Sequence, residues 1–536
     1  MKKLLFLSIF IFLSNVNAQE DAWVYFTDKP NTSTYIASPL TMLSQRALDR
    51  RAMQNINLDA TDVPISQAYI NQIKNATGIT VMAKSKWLNA LHIRGSVAAI
   101  AALSSLSFVS AIKYANHSLN ARLHSPKHKT KAVNKQLSVD ETYNYGNSAN
   151  QIQQLNGHLL HQQNFTGNGK IIAVLDSGFI GVDAVQPFQN LQTNNQILGG
   201  YNFPDRNTNF YTRHNHGTMV LSTMGGFTDN QLVGTAPNAK YYLFITEDVL
   251  SENPVEESYW VEAAERADSL GVDIINSSLG YFEYDNPTYT YTYADMNGVK
   301  SFASRGAAMA FAKGMICVIS AGNSGSTSNP HIGTPADAFN ALTVGAVNST
   351  GAYVSFSSIG PSADGRVKPD VVAKGANATV SNTSGTITTA SGTSFSSPIT
   401  AGMVASLWSA LPNKTNAEIL QYIKQSGSNY ATPNAEIGYG IPNFMAAYTL
   451  GLAQENTLSS KIIVYPNPAS TYITFQLPEK PTDCTLYIYD TLGRLALQET
   501  LTHLTSQINT SNLGKGTYFY ELSLNGKPFY GVFLKD

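Results

Sequence analysis

The chain has 536 residues, of which 43% are hydrophobic and only 13% charged, with a formal net charge of −1. That length exceeds what one hydrophobic core supports, so about two to four domains are expected. The near-zero charge excludes a nucleic-acid binder that works through a basic surface, and there is no acidic tail.

The N-terminus reads MKKLLFLSIFIFLSNVNAQE. Lys2 and Lys3 give a positive start, Leu4 to Leu13 an apolar run, and Val16-Asn17-Ala18 a small-residue cleavage site, so residues 1–18 are expected to be a secretory signal peptide. A membrane anchor needs about 20 apolar residues, more than this run supplies, and no later stretch is long and apolar enough to span a bilayer. The two cysteines, Cys317 and Cys484, are too few for a disulfide framework and are expected to be buried apolar side chains.

Residues 19–118 alternate strand and helix signals. WVYF (23–26) is strand-like, and SPLTMLSQRALDRRAM (38–53) has helical spacing with Ser38 as N-cap and Pro39 in the first turn. A second helix is expected at 65–74, a pair of strands at 79–95, a third helix at 96–106 and a last strand at 108–115, which together suit a small sheet with helices on one face. Residues 119–149 are expected to be a linker, and the basic, aperiodic stretch 116–137 within and before it is the kind of exposed tether that proteases nick.

From about 150 to 450 short apolar runs alternate with helical stretches: IIAVLD (171–176), YYLFIT (241–246), DIINSSLG (273–280), MICVISAGN (315–323) and ALTVGAV (341–347), separated by helices at 258–270 and 303–314. This order predicts a parallel sheet covered on both faces, with active residues at the carboxyl ends of its strands. Residues 461–536 change to short aromatic strands punctuated by Pro, Gly and Asn, and a small all-β sandwich is expected there.

Within the parallel-sheet region, Asp176 ends an apolar strand before Ser177-Gly178. In RHNHGTMV, His216 opens a small-residue helix and is a candidate general base whose ring Asp176 would orient; His214 is a rival. Asn323 stands in a glycine-flanked turn, where an amide can donate to an oxyanion or merely tolerate the turn. In SGTSFSSP (391–398), Ser394 would sit at a helix N-terminus with a free N–H and a dipole favouring negative charge, and Pro398 is tolerable near that first turn. Each residue alone is explained as a turn or loop residue. Together they follow the chain order Asp, His, Ser, one of the known arrangements of a catalytic triad.

With AVLDSG (173–178), NHGTMV (215–220), AGNSG (321–325) and GTSFSSP (392–398), the chain resembles a subtilisin-like serine protease, a subtilase, over roughly residues 150–445. The resemblance implies that Asp176, His216 and Ser394 are the triad, that Asn323 and the Ser394 N–H form the oxyanion hole, and that Ser278, Leu279 and Gly280, within SSLG, bind substrate as an edge strand. Phe395 and Ser396 depart from the Met and Ala common in the family. The stretch 281–300 looks like an extra loop. No cofactor is expected for the chemistry; many subtilases bind calcium, and Asp285, Asp295 and Asn297 are candidate ligands, but hydrogen-bonded turn residues are the favoured reading and no calcium loop is evident.

By the same resemblance, residues 19–118 are similar to the ferredoxin-like inhibitory prodomain of subtilases, and residues 461–536, with VYPNPAS, YIYDTLGR and GTYFY, to a type IX secretion sorting domain. The expected protein is a secreted or cell-surface endopeptidase that acts on protein or peptide substrates, is inhibited by its own prodomain, and meets the secretion machinery through its C-terminal domain. The rival reading is an inactive, surface-displayed binding protein on the same scaffold. Cleavage specificity is left open, because pocket shape depends on loops.

Overall fold

Along β1 (Gln19–Phe26) successive side chains face opposite ways, and the two faces enter different cores. Ala22, Val24 and Phe26 join Leu91, Ile93, Ile73 and Ile100 in the core of a small N-terminal domain, whereas Trp23 joins Tyr259, Trp260 and Phe302 in a second, larger core. The computed structural model describes residues 19–120, 143–459, 462–491, 494–525 and 527–536; the expected signal peptide and most of the expected linker lie outside the described residues.

The small domain carries β1, α1 (Thr32–Ala37), α2 (Gln45–Met53), α3 (Gln67–Lys74), β2 (Ile79–Ser85), β3 (Ala90–Ser96), α4 (Val97–Ala102) and β4 (Val109–Tyr114). Its strands form an antiparallel sheet in the order β2-β3-β1-β4, the expected ferredoxin-like α+β arrangement. One expectation fails. Ser38 caps no long helix; Pro39 opens only a short 3₁₀ turn, Pro39–Thr41, and Ser38 makes no side-chain cap bond. The helix starts later because Ser44 supplies the better cap, with the Ala47 N–H donating to its Oγ at 3.2 Å, while Leu43 just before it is buried.

Besides three short helices (α5 Ala149–Gln153, α6 Gly157–Gln162, α7 Gln189–Thr193), a two-strand ribbon (β7 Phe227–Thr228, β8 Leu232–Val233) and an antiparallel pair at 378–381 and 387–390, this region builds one parallel sheet. Its members are β5 (Ile171–Asp176), β6 (Ile197–Asn202), β9 (Lys240–Ile245), β10 (Ile274–Ser277), β11 (Ile316–Ser320), β12 (Leu342–Val347) and β13 (Val371–Lys374), in the order β13-β12-β11-β10-β5-β9-β6. Every residue of β5 and of β12 is buried, as expected for strands covered on both faces. The chain runs outward from β5 to β6 and β9, then returns to the other side of β5 for β10. Asp176 therefore ends the strand at which the winding reverses, where ligand crevices form in such sheets.

Four helices cover the sheet and carry or support the site: α8 (His216–Gly225), α9 (Val255–Leu270), α10 (Phe302–Ala312) and α11 (Thr393–Ala410). Helix α11 is buried from Thr393 to Trp408 and lies against α8 and strands β10 to β13. Helices α9 and α10 pack on the opposite face, with Ala263, Ala267, Ala307 and Ala310 in the core under β5, β10 and β11.

The outer side of α9 meets the small domain through polar groups. Glu262 accepts from the Lys84 N–H at 2.9 Å. Glu265 accepts from Ser85 Oγ (2.6 Å), Trp87 N–H (2.9 Å) and Lys86 N–H (3.0 Å); burial pushes its carboxyl up to about 7. Asp268 takes ion pairs from both Arg50 (2.5 Å) and Arg51 (2.8 Å), and Arg51 also pairs with Asp62 (2.8 Å). The Asp268 side chain is 0% exposed and that of Arg50 is 3% exposed.

The chain divides into two compact units between Tyr448 and Thr449. The C-terminal unit holds the expected all-β sandwich: a sheet of 463–465, 472–476 and 505–509, and a sheet of 484–489, 495–500, 516–524 and 527–535. Ile473, Phe475, Leu486, Ile488, Leu522 and Phe533 form its core. Cys317 and Cys484 are both buried free thiols, in different units. Among the described residues no helix is long and apolar enough to cross a membrane.

Truncating one member of a buried ion-pair network leaves its partners charged and unpaired, at a cost of about 3–5 kcal/mol. Asp268→Ala should therefore lower the unfolding free energy of the full chain by that amount, read as a lower urea midpoint, with the loss falling in the transition that exposes the small domain.

Candidate active site

Asp176 is wholly buried at the carboxyl end of β5. Its Oδ1 accepts from the backbone N–H of Ser177 at 2.7 Å and from His216 Nδ1 at 2.8 Å. His216 is the first residue of α8, brought against the β5 end by a close crossing of chains. Gly178 has φ +155°, and a Cβ there would lie 2.2 Å from the His214 nitrogen, so only glycine fits. Burial alone would lower the His216 imidazole, but the Asp176 charge and its hydrogen bond outweigh it, and the net shift is upward from the usual 6.5. His214 does not reach Asp176; its Nδ1 lies 3.3 Å from Ser177 Oγ and accepts from the His216 N–H, also at 3.3 Å.

Ser394 is the second residue of α11, after Thr393. Its N–H has no intrahelical acceptor at that position. Its Oγ lies 3.5 Å from the Ser278 carbonyl, a long contact, and is not hydrogen-bonded to His216. The other hydroxyls of SGTSFSSP are committed. Ser391 Oγ accepts from the Asn377 N–H (2.9 Å), Thr393 Oγ1 donates to Asn323 Oδ1 (3.0 Å), Ser396 Oγ to the Thr393 carbonyl (3.1 Å) and Ser397 Oγ to Asn276 Oδ1 (3.1 Å). Pro398 stands deeper in the helix than expected, at its sixth position. With no N–H to give, it leaves the Ser394 carbonyl open, and Ser278 Oγ donates to that carbonyl at 2.9 Å.

Asn323 follows β11 in an exposed turn. Its Oδ1 accepts from the Thr393 N–H at 2.9 Å as well as from Thr393 Oγ1. That double anchorage fixes which end of the amide faces outward, and it is the donor, Nδ2. The role of Thr393 was not read from the sequence, although the residue stands inside the motif. Residues 278–280 continue β10 beyond the sheet as an extended segment. The backbone groups of Leu279 and Gly280 form no hydrogen bond among the described residues, and pairing with the neighbouring chain resumes only at Tyr281, whose N–H donates to the Thr334 carbonyl at 2.7 Å.

The extra loop after Gly280 is pinned by tyrosines. Tyr281 donates to Glu247 at 2.8 Å, and Tyr284 and Tyr291 each donate to Glu257 at 2.7 Å. Burial pushes Glu247 up to about 8. These buried carboxylates also went unread in the sequence, since an acid after a strand (Glu247) or in a helix (Glu257) resembles any solvated charge. The candidate calcium ligands do not converge: Asp285 accepts from the Glu252 N–H, Asp295 caps Thr292, and Asn297 accepts from the Val299 and Lys300 N–H groups. These residues do not fit a calcium site. Among the described residues no group of three or more His, Cys, Asp or Glu side chains is placed to hold a metal ion.

A parallel sheet that gathers a carboxylate, an imidazole and a seryl hydroxyl at its carboxyl end defines the class, an α/β serine hydrolase. The profile of the subtilase family matches residues 167–440, that of the Bacteroidota peptidase S8 propeptide domain residues 21–135, and that of the secretion system C-terminal sorting domain residues 463–529. Subtilisin NAT of Bacillus subtilis subsp. natto is 32% identical over 299 residues, 55% of this chain and 70% of that protein. Subtilisin of Bacillus pumilus is 32% identical over 97% of its length, and subtilisin Savinase of Lederbergia lenta 29% identical over 93% of its length.

The chain belongs to the subtilase family. It is a subtilisin-like serine endopeptidase with an S8 propeptide, and its sorting domain makes it a secreted or cell-surface protein.

In the full chain carrying Ser394→Ala, NMR titration of the imidazole protons should place His216 above 6.5. Asp176→Asn in that background should bring it below 6.5, because desolvation then loses its largest opponent. A His216 unmoved by Asp176→Asn would contradict this account of the shift.

Proposed function

We propose that Asp176, His216 and Ser394 are the catalytic triad of this endopeptidase and that Asn323 Nδ2 and the Ser394 N–H form its oxyanion hole. The observation that carries the reading is the His216–Asp176 hydrogen bond of 2.8 Å at the end of β5, together with a seryl hydroxyl with no firm partner at the end of the adjacent strand β10. A bound peptide extends along Ser278, Leu279 and Gly280, taking up the free backbone groups of Leu279 and Gly280 as an added strand. Rotation of the Ser394 side chain brings Oγ to His216, and such contacts commonly tighten only once substrate is bound.

His216 takes the Ser394 proton as Oγ attacks the peptide carbonyl, and Asp176 holds the ring and stabilises the imidazolium. Negative charge then grows on the carbonyl oxygen. Asn323 Nδ2, its amide already oriented by Thr393, and the Ser394 N–H at the positive end of α11 face that charge. His216 returns the proton to the leaving amine, and water, activated by the same imidazole, hydrolyses the acyl-enzyme.

We also propose the boundaries 19–118 for an inhibitory prodomain, 119–149 for the linker that is cut on maturation, 150–450 for the peptidase domain and 461–536 for the sorting domain. What supports inhibition by the prodomain is its docking on α9 through Glu262, Glu265 and Asp268, on the enzyme that it precedes.

A fluorophosphonate should label the wild-type protein at Ser394 and leave Ser394→Ala unlabelled. Asn323→Ala should lower kcat by about 10²- to 10³-fold, the range known for the oxyanion amide of subtilisin itself rather than one obtained from this geometry. Because His216 must be neutral to act as base, kcat/KM should fall as pH drops, with an acid limb centred above 6.5. Sequencing the N-terminus of the secreted Ser394→Ala protein tests maturation: the prodomain stays attached if the cut is autocatalytic. A labelled or proteolytically active Ser394→Ala protein would refute the assignment.

A further inference from the structure

Beside Ser394, between the extended segment 278–280 and residues 320–324, lies a cavity of about 190 Å³. Leu279, Phe282, Ser324, Asn329 and His331 are among the residues that wall it, together with Gly333, where the lack of a side chain keeps it open. No Asp, Glu, Lys or Arg reaches it, and His331 is its one lining imidazole. The imidazole stacks on Tyr293 of the extra loop, with ring centroids 4.0 Å apart, and Tyr293 is fixed by donating to the Pro361 carbonyl at 2.8 Å. Among the described residues the His331 ring makes no hydrogen bond, and its Nδ1 is buried without a partner. A polar ring held this firmly and left unsatisfied needs an explanation.

We propose that His331 is the specificity-determining residue of this cavity and selects substrates whose residue at the scissile carbonyl ends in an uncharged or anionic oxygen acceptor, glutamine or glutamate. The proposal rests on the assignment of Ser394 and Asn323 above. A peptide lying along 278–280 with its carbonyl at those two residues directs the side chain of that residue into the cavity. There the imidazole, which makes no hydrogen bond among the described residues, donates a ring N–H to a carboxamide or carboxylate oxygen. A lysine or arginine side chain would shed its water there with no carboxylate to receive it, which is costly. An aliphatic side chain would fill the space but leave the imidazole unsatisfied, and a site built around a hydrogen bond discriminates strongly against analogues that lack it.

The test is a set of chromogenic tetrapeptides that differ only in the residue before the scissile bond (Gln, Glu, Leu, Phe, Lys), assayed with the mature enzyme, His331→Ala and His331→Gln. The wild type should turn over the Gln and Glu peptides with the highest kcat/KM and the Lys peptide with the lowest. In His331→Ala the Gln-to-Leu ratio of kcat/KM should fall about tenfold, the effect of losing one hydrogen bond to a substrate oxygen. His331→Gln, which restores an N–H donor, should recover part of it, a response that mere loss of packing would not give. A wild-type preference for Lys, Leu or Phe, or a Gln-to-Leu ratio indifferent to His331→Ala, would overturn the proposal. Fluorophosphonate labelling of Ser394, run on all three proteins, separates the two readings: absent labelling of the wild type counts against the triad, whereas normal labelling with a flat profile counts against His331 alone.

Discussion

The hydrogen bond from His216 to Asp176 is the contact on which the site depends. A carboxylate with no exposed surface is expensive to bury, and Asp176 offsets that cost through a backbone N–H, a hydroxyl and an imidazole, all on Oδ1. Oδ2 stays buried without a partner. The charge of the carboxylate and its Oδ1 hydrogen bond keep the imidazole basic against the effect of its own burial. Loosening this contact releases both the position of the ring and its proton affinity, since the strand end and the helix start are joined at the site through it and through the glycine crossing at Gly178.

Helix α9 shows how one element serves two states. Its inner face is alanine and aromatic, packed under the sheet. Its outer face presents Ser258, Glu262, Glu265 and Asp268, spaced by three or four residues and so on one side of the helix. In this structure those groups are buried under the small domain, each bonded to it: Trp23 Nε1 and His92 to Ser258, three donors to Glu265, two arginines to Asp268. An apolar interface would hold the two domains as firmly but would leave an adhesive patch on the enzyme after the prodomain departs. Polar groups satisfy themselves against the prodomain first and against water afterwards, so the same stripe suits the zymogen and the free enzyme.

How much of this was legible in the sequence follows from the range of each interaction. The central strands were, because burial on both faces writes itself as an uninterrupted apolar run. β6, reading ILGGYN, was not, since two glycines dilute the strand signal at a sheet edge. β13, with four residues, is too short to stand out. The cap of α2 was misplaced by six residues because both Ser38 and Ser44 precede helical spacing, and only packing of Leu43 decides between them. Asp176, His216, Asn323 and Ser394 were legible as motifs; the structure joins His216 to Asp176 at the end of β5 and places Asn323 and Ser394 on one cavity. What local reading could not supply were contacts made across the chain: Thr393 on Asn323, Ser278 on the Ser394 carbonyl, the tyrosines of the extra loop on Glu247 and Glu257, and His331 in its cavity.

The string SGTSFSSP illustrates why a motif this polar does not scatter its chemistry. A run of hydroxyls at one helix start offers several competing nucleophiles, and sequence alone ranks them only by position. The fold ranks them by occupation. Ser391, Ser396 and Ser397 each hold a backbone or amide partner within about 3 Å, and Thr393 is consumed in orienting Asn323. Pro398 then acts from one helical turn away. By withholding the N–H that would have taken the Ser394 carbonyl, it lets Ser278 dock there, which ties the start of α11 to the end of β10. The backbone of Ser394 is thereby fixed at both the helix and the end of β10 while its hydroxyl keeps only a 3.5 Å contact. A side chain held rigidly at its base and weakly at its tip can turn to an imidazole without the helix moving, and that asymmetry between backbone and hydroxyl distinguishes Ser394 from its neighbours.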